Sequence, residues 1–269
     1  MNEQAKYPQR VLIVTGTMIS VKDKSFVNVL KKQRESIKAS SGIWLDIQSK
    51  IQIVETMISH LRYFNSWGFR SKPYAKAVKD YFSRSDNFDN PELTEVLLAT
   101  LLDQAGIEFK TVSFSELYAN HKLRDQLLSE CGCVFASSTL LRDFSELFPM
   151  MEMLKRPYNK VVIGGALTSM LYKDWPGCEY VDLIAVGYGE YLVPALAEWI
   201  RNGYQELVIP KGGRVEEKEG TQILHSGLPA NKNLDHLVAP DWNLARQYTG
   251  KKLKMVAYES VRGCPYRCA

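Results

Sequence analysis

Histidine is scarce in this chain, cysteine is sparse, and long apolar runs are missing: 269 residues hold four histidines and five cysteines. His60, His121, His225 and His236 stand far apart with no ligand spacing, which removes a histidine-built metal centre from consideration. The cysteines form no ladder of the kind that staples small secreted domains, so reduced thiols are expected at Cys131, Cys133 and Cys178. The longest apolar stretches, such as KMVAYE and VVIGGALTSML, fall well short of the roughly 20 residues that span a bilayer. The start, MNEQAKYPQR, is polar and leads into no cleavage signal, so the expected location is cytoplasmic. Charge of one sign is also lacking. With 34 basic and 30 acidic side chains the net charge is +4, too even to indicate nucleic acid or an anionic membrane as partner. No Ser-His-Asp order, phosphate-cradling GxxxxGKS or dinucleotide GxGxxG follows a strand, which leaves hydrolase, nucleoside triphosphatase and nicotinamide dehydrogenase readings without support.

What the chain does have is alternation of short β-branched runs with longer amphipathic ones, the pattern of a parallel sheet wrapped by helices. VLIVT (11–15) predicts a buried strand. Asn90 and Pro91 predict a helix start, with Gly106 as the stop. Strands follow at 107–113, 133–138, 160–165 and 181–187, with helices at 116–129, 141–155, 166–173 and 190–203 between and after them. Five β-α units of this kind predict an α/β, doubly wound, Rossmann-like domain over 1–228, whose ligand crevice lies at the carboxyl ends of the strands. A helical insertion, about 17–89, leaves the first strand's carboxyl end; it either covers the crevice or decorates the surface. QELVIPKGGRVEEKEGTQILHSG predicts a hairpin that extends the sheet or links domains. A linker at 229–250 and a segment at 251–269 that opens with a new strand, KLKMVAYES, complete the chain.

Three strand-to-helix turns are unusual in composition. Ser138-Thr139-Leu140 follows one strand, Gly164-Gly165-Ala166 the next, and Gly187-Tyr188-Gly189-Glu190 the last. Glycine lets backbone approach a ligand, a serine hydroxyl can donate to one, and Glu190 at a helix start suits the macrodipole. Each turn taken alone is ordinary tight-turn chemistry. At the far end Cys264 and Cys268 stand four apart behind a strand, with Gly263 and Pro265 to tighten the loop and Arg262 and Arg267 to favour thiolates. Thiolates so placed suit an iron-sulfur cluster or zinc.

RGCPYRCA resembles the opening of the CxxxCxxC loop of radical S-adenosylmethionine enzymes, which follows the first strand of a partial β/α barrel. The third cysteine of that pattern would fall just past Ala269. Ser138-Thr139-Leu140 followed by Gly164-Gly165 resembles, in turn, the cobalamin-binding domain of methionine synthase and its relatives, and GYGE resembles the corresponding turn of cobalamin-dependent radical enzymes. The DxHxxG element of the methionine synthase type is absent, since the first turn begins Thr15-Gly16 and reads TGTMISVK. The resemblance therefore implies cobalamin held without a protein histidine, against Thr15, Gly16 and the three turns. It also implies a [4Fe-4S] cluster on Cys264 and Cys268, and S-adenosylmethionine, in a longer parent. The implied reaction is radical methyl transfer or rearrangement on a small-molecule or peptide substrate, with ferredoxin or flavodoxin as electron donor. The alternatives are a non-catalytic cobalamin-binding module, and a radical enzyme whose Rossmann-like domain has lost cobalamin and serves docking.

Overall fold

A computed structural model describes residues 8–16, 91–141, 143–227 and 237–250, with Leu253 and Val256 as isolated positions. The predicted insertion at about 17–89, the predicted barrel strand at 251–269, Cys264 and Cys268 lie wholly or almost wholly outside these residues. In chain order the elements are β1 (Val11–Thr15), α1 (Leu93–Gln104), β2 (Phe109–Ser113), α2 (Phe114–Ala119), α3 (His121–Glu130), β3 (Cys133–Ser137) and α4 (Phe144–Leu154). They continue with β4 (Lys160–Gly164), α5 (Ala166–Leu171), a 3-10 turn at Tyr172–Asp174, β5 (Leu183–Val186), α6 (Gly189–Arg201), β6 (Arg214–Lys218), β7 (Thr221–His225) and α7 (Trp242–Thr249).

The strands form one sheet in the order β2-β1-β3-β4-β5-β7-β6, parallel except for the β6-β7 hairpin. This is a mostly parallel α/β sheet compatible with a Rossmann-like domain. The hairpin extends the sheet, because β7 pairs parallel to β5 and carries β6 at its edge. After β2 the chain crosses back past β1 to β3, so the order reverses between β1 and β3, and connections leave in opposite directions at their carboxyl ends.

Alternation of side chains divides the core. Leu12 and Val14 join the cluster built with Phe114, Leu117, Leu128, Met151 and Leu167 from α2 to α5. Val11 and Ile13 join the opposite cluster with Leu102 of α1 and Leu196 and Ile200 of α6. A strand buried on both faces must be apolar throughout, and all five residues of β1 are buried.

Local chemistry sets the ends of the helices. Helix α1 begins at Leu93, two residues after Pro91, because Glu92 holds an extended backbone and makes no side-chain cap. Gly106 ends it as expected: the Ile107 and Gly106 amides donate to the Leu102 and Asp103 carbonyls, a Schellman stop. The single helix predicted at 116–129 is two. Asn120 leaves helical geometry and its side chain accepts from the Leu123 amide at 3.0 Å, while Ser113 caps α2 through the Glu116 amide at 3.2 Å. The segment read as linker at 229–250 ends in a helix, α7, capped by Asp241 and seated against α1 through the 2.8 Å bond from the Asp241 amide to Thr100 Oγ1. Among the described residues no helix is long and apolar enough to cross a membrane.

Candidate functional site

The carboxyl ends of β3, β4 and β5 open onto a cavity of about 830 Å3. Its size lies within the roughly 300–1,000 Å3 typical of small-molecule and cofactor sites. The walls run inward between the sheet and two helices. Phe135, Val162 and Ala185 come from the sheet, Leu93, Leu97 and Leu98 from α1 and its start, and Leu192, Val193 and Leu196 from α6. Hydroxyl groups cluster at Ser137, Thr139 and Ser169. The result is an apolar slot with polar groups contributed mainly by the turns.

Of the residues singled out in the sequence, Thr139, Leu140, Gly164, Gly165, Ala166, Gly187, Tyr188 and Gly189 line this cavity. Parallel strands deliver their following turns to one edge, so three turns distant in sequence meet. Two glycines are explained by the meeting itself. A Cβ built on Gly165, where φ is +110°, would stand 2.7 Å from Thr139 Oγ1. One on Gly187, where φ is +114°, would stand 2.2 Å from Ser226 Oγ. Neither position admits a side chain, because the neighbouring turn already fills the space. Leu140 lines the cavity yet is 53% exposed, so it stands at the open rim.

Four of the singled-out residues lie elsewhere. Ser138 is fully buried behind the wall. Its hydroxyl donates to the Gly164 carbonyl at 2.8 Å and accepts from the Thr168 amide at 3.2 Å, so it caps α5 from the adjacent turn. Helix α5 has Gly165 at its own cap position, with no side chain to do so. Thr15 is buried with its hydroxyl 3.2 Å from Glu95 Oε2, and Gly16 lies beside it with φ +82°. Glu190 is buried in the first turn of α6 and does not line the cavity.

The sequence reading missed Ser137, Ser169 and Glu92. For Ser137 the signal was available in the period of two: Cys133 and Phe135 pack on the α1/α6 side, so Ser137 follows them to the cavity, while Ser138 turns inward behind it. Ser137 Oγ donates to Thr139 Oγ1 at 3.1 Å, which ties the two hydroxyls together. Glu92 gave no signal, since it was read as helix interior. Burial, and then the neighbouring charge of Glu95, push its carboxyl up to about 7. Glu95 is likewise pushed up by burial, an effect opposed by the neighbouring hydroxyls of Tyr248, Thr15 and Thr111.

The thiols and imidazoles of the described residues take no part in the site. Cys131, Cys133 and Cys178 are free, and burial raises all three, Cys131 to about 11, so they stay protonated. His225 is buried against Glu216 at 2.9 Å, and His121 contacts Arg124. No group of three or more His, Cys, Asp or Glu side chains able to hold a metal ion occurs among the described residues. Comparison of the chain with protein-family models, with curated proteins and with solved structures gave no match.

Proposed function

We propose that this chain binds cobalamin at the carboxyl edge of its sheet and forms the N-terminal part of a radical S-adenosylmethionine enzyme. The observation that carries the reading is the convergence of the Thr139-Leu140, Gly164-Gly165 and Gly187-Tyr188-Gly189 turns on one deep apolar cavity. The donor set fits the group. A cobalamin's nucleotide tail ends in a flat, uncharged aromatic base, which suits walls of Phe135, Val162, Leu97 and Leu196, and its ribose suits the hydroxyls of Ser137, Thr139 and Ser169. Bound cobalamin supplies a carrier for a transferable methyl group, and a cluster on Cys264 and Cys268 with S-adenosylmethionine supplies a radical initiator in a longer parent.

The chain's own residues bind and orient. The slot removes water from the buried ligand face, and two glycine turns too crowded for side chains hold the rim in one shape. A rigid rim fixes the ligand's position relative to whatever domain faces it, which is the protein's contribution to cofactor chemistry. The substrate, small molecule or peptide, and a ferredoxin- or flavodoxin-type electron donor belong to that longer assembly.

Equilibrium dialysis against hydroxocobalamin, read by absorbance, tests the reading. Retention near one equivalent is expected. Ala185→Leu, which places three more carbons in the slot, should weaken retention by about tenfold or more while leaving the helical circular dichroism unchanged. Absence of retention by the unaltered chain, or full retention by Ala185→Leu, refutes cobalamin binding here and favours a docking role for the domain.

A further inference from the structure

Among the described residues that line the cavity, Glu92 is the one carboxylate, and there is no lysine, arginine or histidine. Glu92 occupies the cap position of α1, yet its side chain makes no capping bond to that helix. Its carboxyl lies over the turn after β1, with Oε1 3.5 Å from where a Cβ on Gly16 would stand. The groups around it are known on each side. Glu95 follows one turn later on α1 and holds its own carboxyl against Thr15 of β1, Thr111 of β2 and Tyr248 of α7. Tyr188, whose ring meets Tyr191 edge-on at 6.2 Å, is the other titratable wall residue. Among the described residues no cation stands with these groups to hold Glu92 ionised.

We propose that Glu92 is the specificity-determining residue of this cavity, rejecting ligands whose buried part is anionic and making the binding of an uncharged one take up a proton. The inference rests on the cavity being the cobalamin site. The carboxyl is one of the cavity's walls. The physical step is desolvation: a ligand that fills the slot replaces the water around Glu92 with apolar surface and brings no positive charge. The ionised carboxylate loses solvation and the neutral acid does not, so the complex holds the proton more tightly than the free protein. By linkage, ligand affinity is constant while free Glu92 is protonated and falls as pH rises through the point where free Glu92 ionises. A cationic ligand would give the opposite slope, and an anionic one would be rejected more strongly above neutrality.

The measurement is the affinity for cyanocobalamin, whose axial ligand does not titrate near neutrality, between pH 5.5 and 8.5, for the unaltered chain, Glu92→Gln and Glu95→Gln. The unaltered chain should lose about tenfold in affinity across this range. Glu92→Gln should bind with high affinity and no pH dependence, because the neutral amide mimics the protonated acid. Glu95→Gln, which removes the neighbouring negative charge, should move the midpoint of the loss to lower pH. A flat profile for the unaltered chain, affinity that rises with pH, or a Glu92→Gln profile identical to the unaltered one overturns the role of Glu92 while leaving cobalamin binding intact. Failure of all three chains to retain cyanocobalamin at any pH overturns the cobalamin reading and this inference with it.

Discussion

Ser138 shows how one hydroxyl can be read correctly as a turn residue and incorrectly as a ligand contact. It is buried, bonded to the Gly164 carbonyl and to the Thr168 amide, and therefore joins the β3 turn to the β4 turn beneath the cavity. Ser138→Ala should cost about 1–2 kcal/mol, the worth of a lost helix cap, because the Thr168 amide is left buried without an acceptor. Denaturant unfolding measures this, and any loss of cobalamin affinity should be smaller than the loss of stability. An unchanged unfolding midpoint would refute the capping role. The turns themselves were legible because Gly and Ser have few uses at strand ends. The assignment of Ser137 and Ser138 to opposite sides of the wall was not, since both hydroxyls follow the same strand and only the pleat distinguishes them. Glu92 was illegible for a different reason: its position depends on its own backbone staying extended, against the helix-start signal that Asn90-Pro91 gives.

Among the elements, β-strands were read most accurately, because runs buried on both faces leave an unmistakable apolar signature, as in Val161–Ile163 and Leu183–Ile184. Helix breaks were harder. Asn120 ends one helix and caps the next through a side-chain bond that competes with the backbone, and the amphipathic pattern runs on through it. The amino edge of the sheet rests on Asp182, just before β5, whose carboxylate accepts from the Val161 amide at 2.7 Å, from Lys160 Nζ at 3.2 Å and from Lys155 beyond α4. These charge-assisted bonds join α4, β4 and β5 at the edge opposite the cavity. Asp182→Ala should lower stability by about 1.5–3 kcal/mol, and Asp182→Asn, which keeps an acceptor for the Val161 amide, by less. Equal losses for the two variants, in urea titrations, would show that the backbone bond contributes nothing separate from the ion pairs.

For the whole molecule, the hairpin is the part whose role the sequence left open, since the strands β6 and β7 read equally well as a domain link. In the fold, β7 completes the site: Ser226, at its carboxyl end, accepts from the Tyr188 amide at 3.0 Å and donates its own amide to the Val186 carbonyl. Ser226 thus fixes the glycine turn from the outer side. A Ser226→Ala chain should keep its fold but bind cobalamin several-fold more weakly, as the Tyr188 amide loses its acceptor and the rim loosens. Dialysis with circular dichroism as control would check this, and undiminished affinity would show that the turn holds its shape without the hairpin.

Strand β1 imposes a wait on the growing chain. Val11–Thr15 lies between β2 and β3, and its nearer sequence partner begins only at Phe109. At about 5–20 residues per second, the ribosome takes some 5–20 s to produce that partner after β1 has formed. Throughout this interval five uncharged, β-forming residues have neither neighbour to pair with, a segment of the kind that other chains can capture. The loop that must then close is among the longest in the sheet, and its entropy is lost before any pairing energy is gained. Among the described strands, the one that creates the crevice is thus made first and is among the last secured, so synthesis, more than finished stability, is where holdase chaperones would matter most for this sheet.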